Sequence, residues 1–293
     1  MISASKEELL SEIQEYIGRM PSLSTTVTKV MEVCNQPNTS PNDLNRVISL
    51  DPVLTGQVLK LINSAYYSLP NQVTTLTRAI IMLGLNTVKN LAISTAVLDA
   101  IGKEGSQCFP MDSFWTHSLC VGVTAKALAA SKKIPAAVQE EYFVSGLLHD
   151  IGKIPFSNCF PGEYKNAIEL ADLQRGSLLR AEEMIFGFDH HQTGKMIAEK
   201  WQLSKNINLC LSHHHNPQDI TQEHKDLVNT VAAANLFANI FEFGSAGDRF
   251  QEIPDVVQTL DITEMSWNTM GDLFHTVEEE IEKAQVFLNV SKQ

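Results

Sequence analysis

The chain has 293 residues, of which 44% are hydrophobic and 19% charged, a composition typical of a soluble globular protein of one or two domains. Its 22 basic and 34 acidic residues give a net charge of -12, which disfavours non-specific binding to polyphosphates, and no lysine or arginine cluster forms a basic patch. The amino terminus has no apolar signal core and no apolar run is long enough to span a membrane, so we expect a cytoplasmic protein with no membrane association.

Five cysteines are scattered along the chain without a CxxC pair: Cys34, Cys108, Cys120, Cys159 and Cys210. An odd number of cysteines without paired spacing indicates reduced thiols, several of them packed in the core, and not a disulfide framework.

Hydrophobic periodicity predicts helix after helix and almost no strand. The predicted helices before the first glycine-rich break cover residues 6–20, 24–34, 43–51, 52–65, 77–84 and 86–100. Asp51 is expected to cap the fourth of them, with Pro52 at its first position. After the break the predicted helices cover 112–131, 136–154, 161–175, 178–186, 192–201, 205–213 and 226–243, with two more near the carboxyl end. We therefore predict an all-α protein.

The glycine-rich and polar segment 102–110 is the best internal boundary. It divides the chain into an N-terminal helical part, 1–102, and a second helical part, 110–243. Residues 244–293 are predicted to form a C-terminal helical extension that begins in a loop.

An apolar run in the middle of the chain ends abruptly at the adjacent pair His149 and Asp150. Burying both side chains is costly unless each finds a partner, which can be a metal ion, a hydrogen-bonding group or a cation. Lys153 follows at helical spacing, so it should project to the same side as the pair. Gly152 and Pro155 are expected to end this helix, leaving the polar trio near a helix end where a cavity could open.

Several of the nine histidines lie at the ends of predicted helices. They are His117, His149, His190, His191, His213, His214 and His215; His224 and His275 have the surroundings of ordinary surface residues. Imidazole and carboxylate ligands together suit Zn, Fe, Mn, Ni or Co and do not suit calcium. One ion or two could be held, and two-metal sites typically hydrolyse phosphoesters. Spacing alone leaves a metal centre and a hydrogen-bonded cluster as alternatives.

The order of the motifs resembles the HD superfamily of metal-dependent phosphohydrolases. The matching segments are His117, His149-Asp150 with Gly152-Lys153, Gly187-Phe-Asp-His190 with Gly194, and His214-His215-Asn-Pro217. The upstream part is similar to the HDOD domain, the HD-related output domain of bacterial signalling proteins. Its matching segments are Met20-Pro-Ser-Leu23, Asp51-Pro-Val-Leu54, Leu61 to Tyr66, Thr77 to Ile80 and Leu83-Gly84. The resemblance covers roughly residues 20–243 and implies a multi-helix HD-like bundle with an N-terminal helical HDOD subdomain.

The resemblance also implies roles for individual residues. Metal ligation would fall on His117, His149, Asp150, His190, His214 and His215, with a divalent transition metal such as Fe, Mn, Zn or Ni. Asp150 would bridge two ions and orient a water, and Lys153 would lie near a substrate phosphate. His191 and His213 are out of register with the motif, so they are expected beside the ligands or exposed.

Two features depart from the HD pattern. HD enzymes usually close the site with an aspartate on a later helix, where this chain has Asn235, which cannot neutralise metal charge. The segment after His215 lacks the Gly-Tyr-Pro signature of cyclic-diguanylate phosphodiesterases, which argues against that activity in particular.

Three hypotheses follow from these residues. The favoured one is a signalling output or regulatory module that retains a metal site, and receives its signal from a protein partner or a nucleotide-like phosphate ligand. The second is an active phosphohydrolase acting on a nucleotide or cyclic dinucleotide, and the third is an interaction domain whose histidines are only hydrogen-bonded. DNA binding is disfavoured, because the one segment that resembles a helix-turn-helix, 51–65, offers only Lys60 to phosphates.

Overall fold

The computed structural model describes residues 5–102, 105–250, 253–263 and 266–290, and in these ranges the regular structure is entirely helical. The helices of the upstream part are α1 Lys6–Arg19, α2 Thr25–Cys34, α3 Pro41–Ile48, α4 Pro52–Ile62, α5 Leu76–Leu83 and α6 Leu85–Gly102. Those of the middle part are α7 Met111–Ser131, α8 Ala136–Leu148, α9 Lys153–Cys159, α10 Pro161–Gln174, α11 Leu178–Phe186, α12 His190–Lys200, α13 Lys205–His213 and α14 Gln222–Ile240. The last are α15 Ile253–Thr263, α16 Trp267–Ala284 and α17 Val286–Val290. The all-α prediction is confirmed.

Side-chain caps explain where many of the helices begin. The Asp51 carboxylate accepts a hydrogen bond from the Leu54 backbone N–H at 3.0 Å, with Pro52 at the first helical position, as predicted. Asp189 does the same for α12, accepting from Gln192 N–H at 3.1 Å. With this cap, α12 begins at His190, two residues before the predicted start. His190 and His191 therefore lie in the first helical turn.

The predicted single helix 136–154 is wrong. Helix α8 ends at Leu148, a tight turn follows, and the chain continues as α9 from Lys153. Pro155 does not end a helix: it lies in the first turn of α9, where its missing N–H is not needed. Only glycine fits at position 152, because a Cβ there would come within 2.1 Å of the His190 carbonyl oxygen. The turn between α8 and α9 therefore packs directly against α12.

Smaller differences affect other boundaries. Helix α3 covers Pro41–Ile48 where 43–51 was predicted, and α14 covers Gln222–Ile240 where 226–243 was predicted. A short 3-10 turn, Pro217–Asp219, precedes α14. The predicted boundary segment 102–110 includes residues 103 and 104, which lie outside the described residues. The division of the chain into three parts stays a prediction.

The close packing of α7 against α8 positions the first part of the site. A Cβ on Gly122 would lie 2.7 Å from the Phe143 carbonyl oxygen, and one on Gly146 would lie 2.8 Å from the Gly122 Cα. The two backbones can approach this closely only because both positions are glycine. His117 precedes Gly122 on α7 and His149 follows Gly146 at the end of α8, so the contact brings the two imidazoles together with their ring centroids 5.4 Å apart.

Within the described residues, no single helix is both long and apolar enough to cross a membrane. Helices α5 and α6 reach the required length and composition only as a pair, and they meet at 116°.

We predict that Gly122→Ala lowers the free energy of unfolding by about 1–3 kcal/mol, because the added methyl meets α8 backbone that cannot move aside cheaply. The matched control is Gly56→Ala on α4, where nothing lies within 4 Å of the new Cβ. That change should be neutral or stabilising by up to about 1 kcal/mol. Urea denaturation measures both, and equal effects of the two substitutions would contradict the proposed close contact.

Candidate metal centre

Asp150 lies at the centre of the predicted ligands, and each of its carboxylate oxygens faces a different group of histidines. Oδ2 is 3.2 Å from His149 Nε2 and 3.7 Å from His117 Nε2. Oδ1 is 3.4 Å from His214 Nε2 and 3.6 Å from His190 Nε2. These five residues are buried. Histidines from α7, from the turn after α8, from the start of α12 and from the end of α13 thus converge on one carboxylate.

His215 completes the predicted set. A candidate ligand atom from each of His190, His191, His214 and His215 lies within 4.8 Å of the others, and the same holds for His117, His149 and Asp150. All six predicted metal-binding residues are therefore brought together. Their role as ligands stays a prediction.

His191 and His213 were expected to lie beside the ligands or to be exposed. Their burial and their hydrogen-bond partners differ. His191 is 5% exposed, and its Nε2 accepts a hydrogen bond from the His215 backbone N–H at 3.3 Å. It lies within the histidine cluster. His213 is half-buried, its Nδ1 pairs with the Ser212 hydroxyl at 2.8 Å, and it belongs to none of the groups of candidate ligands.

Hydrogen bonds at Nδ1 orient three of the imidazoles. The Nδ1 of His149 lies 2.7 Å from the Gly146 carbonyl oxygen and that of His214 lies 2.9 Å from the Cys210 carbonyl oxygen. Since a carbonyl can only accept, each Nδ1 must carry the proton and donate it. In each ring the Nε2 atom therefore faces Asp150, as the tautomer of a metal ligand requires.

Glu182, which the sequence analysis did not single out, orients the third imidazole. Its Oε2 lies 2.6 Å from His190 Nδ1 and accepts from the His190 backbone N–H at 2.8 Å. Its Oε1 accepts from the Tyr164 hydroxyl at 2.8 Å. Burial raises the pKa of Glu182, while Lys153 and these donors act in the opposite direction. A signal was present in the sequence, because Glu182 occupies an apolar position four residues from both Leu178 and Phe186.

The atoms that would bind a metal have no hydrogen-bond partner among the described residues. They are the Nε2 atoms of His117, His149, His190, His214 and His215, and Oδ1 of Asp150, all of them enclosed. Leaving one buried polar atom unsatisfied costs about 1–3 kcal/mol. Cations bound within these groups would satisfy such atoms, and a set of imidazoles with one carboxylate suits a divalent transition metal.

The charge states fit the same chemistry. Burial lowers the pKa of His117 to about 3, and burial also lowers the pKa values of His190, His214 and His215. Burial alone would raise the pKa of Asp150, but the neighbouring His149 and Lys153 hold it well below its ordinary value. Neutral imidazoles and an ionised carboxylate are the forms that bind metal.

Lys153 is buried and forms ion pairs with two carboxylates. Its Nζ lies 2.8 Å from Asp150 Oδ2 and also contacts Asp248 Oδ2. Burial alone would lower the pKa of Lys153, but the two carboxylates raise it above its ordinary value. Asp248 comes from the loop after α14 and was not predicted to belong to the site. Nothing in the spacing around it distinguishes it from a solvated loop residue.

Asn235 borders the site, as the comparison of motifs suggested. It is 3% exposed and its Oδ1 accepts from the Asn239 side-chain amide at 3.1 Å. With His214 and His215 it lines a cavity of about 20 Å³, whose other walls include Val256 and Thr259 of α15. Helix α15 therefore covers this side of the centre.

The fold and the site together place the chain in a known family. The HDOD domain model matches residues 20–217. The chain belongs to the HDOD domain family.

Three solved structures share this fold. An HDOD domain protein of unknown function from Geobacter sulfurreducens is 22% identical, with a TM-score of 0.76 over 97% of this chain and 99% of that one. A protein from Shewanella amazonensis SB2B, named as a candidate phosphohydrolase, is 21% identical, with a TM-score of 0.71 over 96% and 98%. A candidate signal transduction protein from Marinobacter aquaeolei VT8 is 18% identical, with a TM-score of 0.71 over 99% and 67%.

Among curated proteins, the chain is 25% identical over 241 residues to an uncharacterized protein of Treponema pallidum (strain Nichols). The match covers 80% of this chain and 45% of that protein, so the chain spans about half the length of this relative.

We predict that the metal-free protein loses stability as the pH falls from 7 to 5. Unfolded histidines take up protons below about pH 6.5, whereas the buried ones do so only at lower pH, for His117 at about 3. The stability is therefore fully present above pH 6.5 and declines below it, by up to about 1.4 kcal/mol per pH unit for each such histidine. Urea denaturation across this range measures the slope.

The variant His117→Gln should reduce the slope of the free energy of unfolding against pH. The control variant His275→Gln, at an exposed position, should leave that slope unchanged. A free energy of unfolding that stays constant between pH 7 and 5 would show that the cluster is not held in its neutral form.

We predict that Glu182→Gln weakens metal binding about 10- to 100-fold, because the His190 ring loses the carboxylate that orients it. The matched control is Glu183→Gln, the exposed neighbour on the same helix, which should bind metal as the wild type does. Titration of metal-stripped protein with Zn(II) measures both affinities. Similar affinities for the two variants would remove Glu182 from the centre.

Proposed function

We propose that this protein is a signalling output or regulatory module of HDOD type that holds a divalent transition metal in its His/Asp centre. The observation that carries the proposal is the set of six candidate ligands, which in the part of the chain that the structure describes borders a cavity of only about 20 Å³. Six candidate ligands converge with unsatisfied lone pairs, so the centre fits a metal.

The space beside the donors is small. The cavity next to His214, His215 and Asn235 measures about 20 Å³, whereas small-molecule sites typically enclose about 300–1,000 Å³. A larger cleft of about 360 Å³ lies on the outer surface of the loop that carries Asp248, and none of the six candidate ligands lines it. A nucleotide would have to displace this loop or α15 to reach the centre.

The state of Lys153 supports a regulatory role as well. A lysine that stabilises a phosphate must be able to direct its ammonium group at the phosphate oxygens. Here the ammonium is buried and shared between Asp150 and Asp248. Its donors are directed at the protein's own carboxylates, so a phosphate would have to compete with Asp248.

The second candidate function is a metal-dependent phosphohydrolase, acting on a nucleotide or cyclic dinucleotide. The retained Lys153 and the complete His/Asp set favour it, as does the name of the Shewanella relative. A metal bound here would lower the pKa of a bound water and so supply a nucleophile. Asp150 would orient that water, and Lys153 would have to exchange Asp248 for the substrate phosphate. This function therefore requires an opened form of the site.

We infer that the module passes its signal to a protein partner, with a nucleotide-like phosphate as the alternative ligand. Large apolar side chains are exposed on the packed upstream helices, with Ile81 on α5 being 69% exposed, Val53 on α4 68% and Leu50 before α4 72%. Exposed side chains of this size are typical of protein–protein contact surfaces when they cluster.

Metal analysis of protein purified without a histidine tag, under reducing conditions, tests the favoured function. We expect at least one equivalent of a transition metal, its loss in Asp150→Ala, and its retention in the exposed control Asp272→Ala. Removing the metal with a chelator should lower the Tm, because a ligand that binds only the folded state stabilises it. Absence of metal together with an unchanged Tm would support the hydrogen-bonded interaction domain.

A screen of phosphomonoesters and cyclic nucleotides with Mn(II) or Fe(II) separates the two metal-binding functions. The regulatory function predicts no turnover by the wild type. Turnover that disappears in Asp150→Ala and persists in Asp272→Ala would establish the phosphohydrolase instead.

A further inference from the structure

Asp248 brings a second carboxylate to the edge of the histidine cluster. Candidate ligand atoms of Asp150, His215 and Asp248 lie within 4.8 Å of one another. Asp248 is 4% exposed, which is unusual for a carboxylate on a loop unless it is paired or binds a cation. This group is distinct from the set His117, His149 and Asp150, with which it shares only the central carboxylate.

Two unsatisfied atoms in this group point to a ligand independently of Asp248. The Oδ1 of Asp150, which is fully buried, and the Nε2 of His215 have no hydrogen-bond partner among the described residues. The two atoms do not hydrogen-bond to one another. A cation placed between them would satisfy both.

The loop 244–250 is built to hold Asp248 in this position. Gly244 has a φ of +68° and packs so closely that a Cβ would lie 2.3 Å from the Ser113 carbonyl oxygen on α7. Ser245 N–H donates to that same carbonyl at 3.2 Å. Gly247, with a φ of +98°, directs the chain past Leu178, whose N–H donates to Asp248 Oδ1 at 3.2 Å. The loop is thereby anchored to α7, the helix that carries His117, and to the start of α11.

The charge in the site explains why such a carboxylate is needed. Asn235 is the α14 residue that lines the small cavity beside His214 and His215, and its side chain is a neutral amide, so it brings no negative charge to the centre. With Asp150 alone, the candidate ligands would carry a single negative charge, and Lys153 already neutralises it. Asp248 restores the second negative charge from a different element, and its contact with the Lys153 ammonium shows that its carboxylate pairs with a cation at this place.

We propose that Asp248 is a metal ligand, and that with Asp150 and His215 it forms a second cation position beside the one at His117 and His149. Asp248 thus provides from a loop the closing carboxylate that Asn235 does not provide from α14. Asp248 also lines the surface cleft of about 360 Å³. The inference rests on the proposed metal-binding function and adds to it a second ion and its ligand.

Mn(II) titration of the metal-stripped, tag-free full chain tests the proposal. Isothermal titration calorimetry should show two equivalents for the wild type, and electron paramagnetic resonance should show the spin-coupled signal of two neighbouring Mn(II) ions. Asp248→Asn should weaken the second equivalent by about tenfold or more and abolish the coupled signal. The matched control is Asp172→Asn, which removes the partner of Arg249 on the same loop and leaves the candidate ligands in place.

Asp248 also neutralises Lys153, so a second pair of variants separates ligation from charge balance. Lys153→Met should tighten the second equivalent, because Asp248 is freed from the competing ammonium. Adding Asp248→Asn to Lys153→Met should abolish that gain, without leaving a buried lysine short of a partner. If the double variant binds Mn(II) as Lys153→Met does, Asp248 is only a counter-ion and the inference is overturned.

The outcomes for the two proposals are distinguishable. A wild type that binds no Mn(II), Zn(II) or Fe(II) overturns the metal-binding function and this inference with it. A wild type that binds metal with the same stoichiometry and affinity as both Asp248→Asn and the double variant overturns this inference alone.

Discussion

The structure of the centre depends on the burial of one carboxylate between two groups of imidazoles. Each oxygen of Asp150 faces two Nε2 atoms, at 3.2 and 3.7 Å on one side and at 3.4 and 3.6 Å on the other. Because water cannot reach these atoms, every neighbouring group must help to balance the charge or orient a ring. The Gly122–Gly146 contact, the break before α9 and the cap at Asp189 all set the position of a residue in this arrangement.

Hydrophobic periodicity was sufficient to predict the helical fold. Local patterns drew attention to seven histidines and Asp150, and the resemblance to the HD superfamily selected the six candidate ligands among them, whose role stays a prediction. Histidines at helix ends and an abrupt His149–Asp150 pair stand out against apolar surroundings. Glu182 and Asp248 were missed for different reasons. Glu182 carried a weak signal as a charged residue at an apolar helix position, whereas Asp248 lies in a loop whose course is fixed by contacts with α7 and α11. No periodicity encodes such a contact.

The error in the 136–154 helix has the same origin. The apolar spacing of 143–148 continues smoothly toward Ile151 and Ile154, and residues 149 and 152 keep right-handed helical dihedral angles. The interruption lies where α12 packs against the chain, since the His190 carbonyl oxygen leaves no space for a Cβ at Gly152. A local pattern predicts that a segment is helical, but a tertiary contact decides where a helix is interrupted. In this protein the interruption is what turns Asp150 toward the histidines of α12 and α13.

The order of the donors along the chain has a consequence for biosynthesis. The first candidate ligand is His117 and the last is Asp248, so nearly half of the chain separates the two ends of the centre. A nascent chain that has emerged only as far as α8 carries His117, His149 and Asp150, without the residues that enclose them. Domains generally fold as units as they leave the ribosome, so the centre becomes complete only when the loop after α14 has been made. The complete set of candidate ligands therefore exists only in the finished fold and not in its growing pieces.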